Sequence, residues 1–175
     1  MTRNVIIRDV PAVEIQTAEV TTPIGVFRLG YSGNSVVYND LMELGVERFG
    51  IPPTAPIERG HFAKGSPPDQ LSEYFRGERK TFNVDFHLLR GSEFDEKVWI
   101  ELSRIPFGSC RTYGEVAKLI RKPLAARAVG GAAHRNPIPI MIPCHRLVGR
   151  DNNLAGFGLG LWRKKWLLDH EGMKV

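Results

Sequence analysis

The chain has 175 residues, 42% of them hydrophobic and 25% charged, which describes an ordinary soluble globular protein of one domain or two small ones. A chain of this length buries a core without disulfides or a structural metal, and its longest apolar runs, such as residues 138–143, fall far short of a membrane span. Residues 1–90 carry 10 Lys+Arg against 11 Asp+Glu and residues 91–175 carry 14 against 8, so all the excess basic charge sits in the second half, as a solvated face or as a surface for a polyanion.

At the N-terminus, residues 1–9 place charge on each side of a very short apolar run. They lack the apolar region and small-residue cleavage site of a signal peptide, which points to the cytoplasm, or to the nucleus in a eukaryote. Residues 13–20 alternate apolar and polar side chains with β-branched enrichment, the pattern of a strand. Residues 22–25 form a turn, residues 26–31 a hairpin partner, and residues 35–38 a third strand. The Pro-rich stretch 51–68 reads as a loop. Asp69 is placed to cap a short helix on which Leu71, Tyr74 and Phe75 share a face, running to Arg76 with Gly77 as its stop. Residues 81–86 alternate as a last strand.

Residues 87–91 read as a link between a strand-rich domain over 1–86 and a helical domain over 92–175. Ser92 is a candidate N-cap, and Phe94, Val98, Trp99 and Leu102 recur at helical spacing up to Pro106 and Gly108. Thr112 is placed to cap a second helix over 113–120; Lys122-Pro123 breaks it, and residues 124–133 resume as a third. Two short helices across a tight turn make a helix-turn-helix outline, a shape shared by many helix pairs that bind nothing.

Of the two cysteines, Cys110 fits a small buried hydrophobe, and nothing points to an oxidising compartment. Cys144 stands in Ile142-Pro143-Cys144-His145-Arg146. A nucleophilic cysteine needs thiolate character, and a nearby histidine or cation lowers its pKa. Neighbouring side chains on an extended segment point apart, so these residues alone leave Cys144 open as reactive or structural.

Pro143-Cys144-His145-Arg146 resembles the active-site motif of the O6-alkylguanine-DNA alkyltransferases. Ile105-Pro106-Phe107-Gly108, Thr112-Tyr113, Ala126-Arg127-Ala128-Val129-Gly130-Gly131-Ala132, Asn136-Pro137, Trp166-Leu167-Leu168 and His170-Glu171-Gly172 resemble the family's other blocks, in its order. The resemblance is specific over residues 92–172 and architectural over 1–90. It implies an α/β fold: a strand-rich, ribonuclease-H-like N-terminal domain ahead of a mostly helical C-terminal domain with the helix-turn-helix.

The resemblance also implies direct-reversal DNA repair by a monomer. An alkyl group passes in a single turnover from O6 of a flipped-out guanine in double-stranded DNA to Cys144; the lesion supplies the group, and no cofactor or membrane is involved. His145 is then the general base through a water, oriented by Glu171. Asn136 braces the turn before the active-site segment, and Tyr113 donates to guanine N3. Arg127 fills the vacated stack while Ala125, Ala126 and Ala128 let the helix approach the minor groove, with Thr112 and Gly130 on the same DNA-contacting surface. Pro139, Leu147, Phe157 and Gly158 are expected at the guanine pocket, Leu147 through its carbonyl and Gly158 through its amide.

The chain departs from many relatives where they carry Tyr-Ser-Gly-Gly and it has Phe157-Gly158-Leu159-Gly160, which removes two hydroxyls and adds the bulk of Leu159. Some relatives hold zinc in the N-terminal domain through cysteines and histidines. Residues 1–90 contain no cysteine, and His61 and His87 alone make a poor zinc site, so no metal is expected. Two other readings use the same residues. A cysteine hydrolase would employ Cys144, His145 and Glu171 but leaves Arg127 and the basic second half unexplained. A recognition module would bind alkylated DNA without transfer and requires an unreactive Cys144.

Overall fold

A computed structural model describes residues 6–7, 15–44 and 57–173 of the chain. The chain divides into two compact units, Met1–Leu89 and Arg90–Val175. Among the described residues no helix is long and apolar enough to cross a membrane.

The first unit is built on one six-stranded sheet. Its strands are β1 (Ile6–Ile7), β2 (Gln16–Thr22), β3 (Gly25–Ser32), β4 (Ser35–Leu41), β5 (Ile57–Arg59) and β6 (Asp85–His87), in the order β1-β6-β4-β3-β2-β5. β2, β3 and β4 form an antiparallel meander, and β5 and β6 join its two sides in parallel. An antiparallel centre with parallel flanks is the ribonuclease-H-like plan that the resemblance implies. β4 lies inside the sheet, and every residue from Val36 to Leu41 is buried, so it lacks the alternation of a one-sided strand. Gly30 pairs with Tyr38 across the β3–β4 ladder. A Cβ there would meet the Tyr38 ring at 2.0 Å, so the position has room only for glycine.

Helix α1 (Pro67–Phe75) packs on β2, and its Phe75 also meets Phe27 of β3, with ring centres 5.9 Å apart. The Pro-rich stretch is therefore not all loop. Its residues 51–56 lie outside the described ones, but Ile57–Arg59 is the edge strand β5, and Pro67 and Pro68 open α1, where a missing N–H removes no helical bond. Asp69 sits inside the first turn and accepts from the Gly65 amide at 2.7 Å, while Ser66 holds the cap position without a side-chain bond. Of the strand expected over 81–86, only its end joins β6, because Phe82 packs on Tyr74 with ring centres 5.5 Å apart. The strand expected over 13–20 starts at Gln16, and Val13 and Glu14 lie outside the described residues.

In the second unit Ser92 and Thr112 each close a capping box, with Asp95 and Glu115. Helices α2 (Glu93–Ser103) and α3 (Tyr113–Leu119) accordingly begin where their capping residues place them. Helix α4 (Ala126–His134) begins two residues later than expected, because the Lys122 carbonyl holds the Ala125 amide in a turn at 2.8 Å. α3 and α4 pack together as the helix-turn-helix, and α2 packs on both. Trp99 Nε1 donates to the Ala132 carbonyl at 2.9 Å and Arg135 reaches Asp95 at 2.6 Å, which pins the end of α4 to α2. Two short parallel strands, β7 (Arg111–Thr112) and β8 (Leu147–Val148), and helix α5 (Leu161–His170) complete the unit.

The chain from Asn136 to Val148 is buried at every residue. Within it Ile140 takes a φ of 74°, a left-handed conformation that costs a β-branched residue on the order of 1–3 kcal/mol. The Ile142 amide bonds back to the Ile138 carbonyl at 2.9 Å across this bend, so the strained backbone sits just ahead of Cys144.

Candidate active site

The buried segment ends in a 3-10 turn, Cys144–Arg146, which sets Cys144 on the wall of a cavity of about 640 Å³. α3 supplies Tyr113 to that wall, α4 supplies Ala126, Arg127 and Gly130, and the loop before α5 supplies Phe157 and Gly158. The volume suits a small organic group.

Asn136 fixes the sulfur. Its Oδ1 accepts from the Ile138 amide at 3.0 Å, which turns Nδ2 toward the Ile142 carbonyl at 2.8 Å and Cys144 Sγ at 3.1 Å. The residue expected to brace a turn thus also donates to the thiol. Burial pushes the Cys144 thiol up to about 11, while the Asn136 amide and the Lys164 ammonium act the other way. Sequence adjacency left open whether His145 or Arg146 faces the thiol; both side chains turn to Glu171 instead.

His145 Nε2 lies 2.8 Å from Glu171 Oε1, with both side chains fully buried. A carboxylate only accepts, so Nε2 carries the proton and Nδ1 keeps its lone pair. Nδ1 is buried and has no hydrogen-bond partner among the described residues. Burial lowers the imidazole below its ordinary 6.5 against the pull of Glu171, so the ring is neutral at neutral pH. Arg146 grips the same carboxylate in a fork, Nε to Oε2 and Nη2 to Oε1, both at 2.9 Å. The Gly108 amide adds a bond to Oε2 at 3.2 Å, and Arg146 Nη1 donates to the Ile105 carbonyl. Burial alone would raise the Glu171 carboxyl. The hydrogen bonds and charges of His145 and Arg146 overcome it and hold Glu171 well below the usual carboxylate range.

Sequence reading missed Lys164. It is fully buried, its Nζ donates to the Ala155 carbonyl at 2.8 Å, and burial lowers it to about 8. Ala155 leads into Gly156, Phe157 and Gly158, so this buried ammonium anchors one wall of the cavity. A signal existed: Lys164 shares a face of α5 with Leu167 and Leu168, both fully buried.

Tyr113 donates from its hydroxyl to the Gly156 carbonyl at 3.3 Å; burial, and then the nearby Cys144, push its phenol up. The Phe157 ring stands edge-on to His145 with centroids 6.5 Å apart. A Cβ on Gly158 would lie 3.3 Å from His134 Nδ1, so a side chain there requires the histidine to give way. Arg127 is exposed and makes no ion pair among the described residues. Thr112, Ala125 and Ala128 do not line the cavity, and the Thr112 hydroxyl is committed to the capping box. Pro139 and Leu147 are buried and do not line it either. Cys110, expected as a buried small hydrophobe, is half-buried; burial first, then the Glu171 charge, pushes its thiol up. Among the described residues no group of three His, Cys, Asp or Glu is placed to hold a metal ion.

Residues 93–173 match the family of the 6-O-methylguanine DNA methyltransferase DNA-binding domain. The chain is 41% identical over 151 residues to the methylated-DNA–protein-cysteine methyltransferase of Methanosarcina acetivorans, covering 86% of this chain and 94% of that one. The crystal structure of Mycobacterium tuberculosis O6-methylguanine methyltransferase aligns with a TM-score of 0.77 at 38% identity, covering 90% of this chain and 93% of that one. The structure of M. tuberculosis OGT in complex with DNA gives 0.75 at 37% identity, covering 89% and 92%. Identity of this order along nearly the whole length of a relative places the chain in its family: it belongs to the methylated-DNA–protein-cysteine methyltransferases.

Proposed function

We propose that this protein repairs DNA by taking an alkyl group from O6 of guanine onto Sγ of Cys144, once per molecule. The observation that supports this most is a thiol at a cavity wall next in sequence to a buried, neutral His145 whose Nδ1 is open to a proton. The sulfur attacks the alkyl carbon, and the S–C bond forms as the C–O6 bond breaks. The thiol proton passes through a water to His145 Nδ1, and Glu171 stabilises the imidazolium that forms. Burial keeps the resting thiol protonated, so proton removal accompanies attack instead of preceding it. Guanine leaves as a neutral base when it gains a proton, and the Tyr113 phenol, which burial keeps protonated, is the donor. The thioether left on Cys144 is stable and ends the reaction.

O6 is buried in a duplex, so the nucleotide must be flipped out. Arg127 is long, exposed and without an ion pair among the described residues, and fills the vacated stack, while Ala125 at the cap and Ala126, Ala128 and Gly130 on α4 keep the helix slim enough to approach the groove. The same reading makes the protein a cytoplasmic monomer that acts, without a cofactor, on double-stranded DNA carrying O6-alkylguanine. A relative's structure with bound DNA supports that partner.

Arg127→Ala is expected to slow transfer from a lesion-bearing duplex about tenfold or more, because holding an unstacked step costs a few kcal/mol. On a single-stranded oligonucleotide with the same lesion, where no stack must be opened, the rate should barely change. Equal losses on both substrates would remove the base-flipping role. The pH profile of single-turnover transfer tests His145. Its lowered pKa means the rate holds as pH drops through 6.5 and declines only below it. A profile half-maximal at 6.5 or higher contradicts a buried neutral base. The sign for stability is the same: the unfolded histidine takes up a proton near 6.5 and the folded one does not, so acid favours unfolding.

A further inference from the structure

Leu124 is 100% exposed, whereas the other exposed large apolar side chains among the described residues lie between 39% and 56%. Half-covered apolar side chains are ordinary on protein surfaces, but a leucine with no cover at all is unusual. The turn that presents it is well braced. Arg121 takes a left-handed φ of 59°, with its amide on the Lys118 carbonyl at 3.0 Å. The Lys122 amide bonds to Ala117 at 2.9 Å and the Ala125 amide to Lys122 at 2.8 Å, and Pro123 fixes the residue just before. The backbone under Leu124 is therefore set before any partner arrives, which leaves little ordering to be done on binding.

Leu124 stands three residues before Arg127, a span of at most about 10 Å, and two before Ala126, which lines the cavity. Arg121, Lys122 and Arg127 around it are exposed and make no ion pair among the described residues. α4 opens with no acidic residue in its first turn. Such surroundings complement a phosphate backbone. We infer that Leu124 is a second wedge, a side chain that enters the minor groove beside Arg127 and packs on deoxyribose and base edges next to the flipped nucleotide. Apolar side chains inserted among cations are a general means of prising base steps apart. The inference rests on the proposed reading of α4 as the DNA-contacting helix.

The test compares the full-length wild type with Leu124→Ala and Leu124→Lys, using an O6-methylguanine duplex over a range of salt. Leu124→Ala is expected to bind the duplex about five- to tenfold more weakly, the effect of losing much of one buried leucine. Because the lost contact is apolar, the slope of affinity against salt should stay the same, and so should the melting temperature. Transfer from a single-stranded lesion should also be unchanged. Leu124→Lys should recover affinity only at low salt and steepen the slope. Unchanged duplex affinity in Leu124→Ala overturns the inference, as does a loss confined to cooperative binding of a second copy, or an equal loss on single strands. A wild type that transfers without any Leu124 effect overturns this inference alone. A wild type that neither binds nor transfers overturns the reading beneath it, and the inference with it.

Discussion

Cys144→Ala is expected to abolish alkyl transfer while leaving affinity for a lesion-bearing duplex within about threefold of wild type. The sulfur is the acceptor atom in the proposed chemistry, and no second thiol takes its place, because Cys110 does not line the cavity. In the proposed reading DNA is gripped by Arg127 and its neighbours and not by the thiol, and Asn136 still holds the segment through Ile138 and Ile142 when its bond to the sulfur is gone. The variant should therefore fold and bind. Single-turnover assays with labelled O6-methylguanine duplex, run beside a gel-shift titration, separate the two properties. Transfer persisting in Cys144→Ala would refute the acceptor assignment, and binding lost together with transfer would show that the change damaged the fold.

Glu171→Ala should be the most damaging substitution for folding as well as for chemistry. The carboxylate holds a buried arginine in a two-bond fork and a buried histidine by one bond, and the Gly108 amide also points at it. Removing it strands the Arg146 guanidinium in the interior without its charge partner, hydrogen-bonded among the described residues to the Ile105 carbonyl alone. Breaking a buried pair in this way costs about 3–5 kcal/mol. For a chain of this size that lowers the melting temperature by roughly 6–20 °C. The His145 ring also loses the group that selects its tautomer, so transfer by the folded fraction should slow on the order of 10²–10⁴-fold. Thermal unfolding and single-turnover rates below the transition measure the two effects. A variant with an unchanged melting temperature and rate would show that Glu171 is a solvated charge and not the hub of the site.

The second unit was legible where short-range chemistry decides structure. Ser92 and Thr112 each carry an acidic partner three residues on, so both helix starts follow from the chain itself. Cys144, His145, Asn136 and Glu171 could be named because they stand in recognisable blocks, and the fold brings them together. Who bonds whom was not legible. Arg146 beside Cys144 looks like a cation for the thiol, yet its fork closes on a carboxylate 25 residues away. The direction of the thiol's pKa depends on burial, which no tetrapeptide displays. Lys164 was hidden in the run Arg163-Lys164-Lys165, which reads as solvated charge, although its spacing to Leu167 and Leu168 marked the buried face. In the first unit β5 is a short edge strand formed by pairing with β2, a tertiary event inside a stretch whose prolines suggested only loop.

The central claim is that one alkyl group ends on one sulfur. Intact mass of the full-length protein after incubation with an excess of O6-methylguanine duplex, followed by peptide mapping, tests it directly. The account predicts a gain of one methyl group, saturating at one per molecule and located on Cys144. An unmodified protein that still binds the lesion, or repeated turnover without a mass gain, would contradict it.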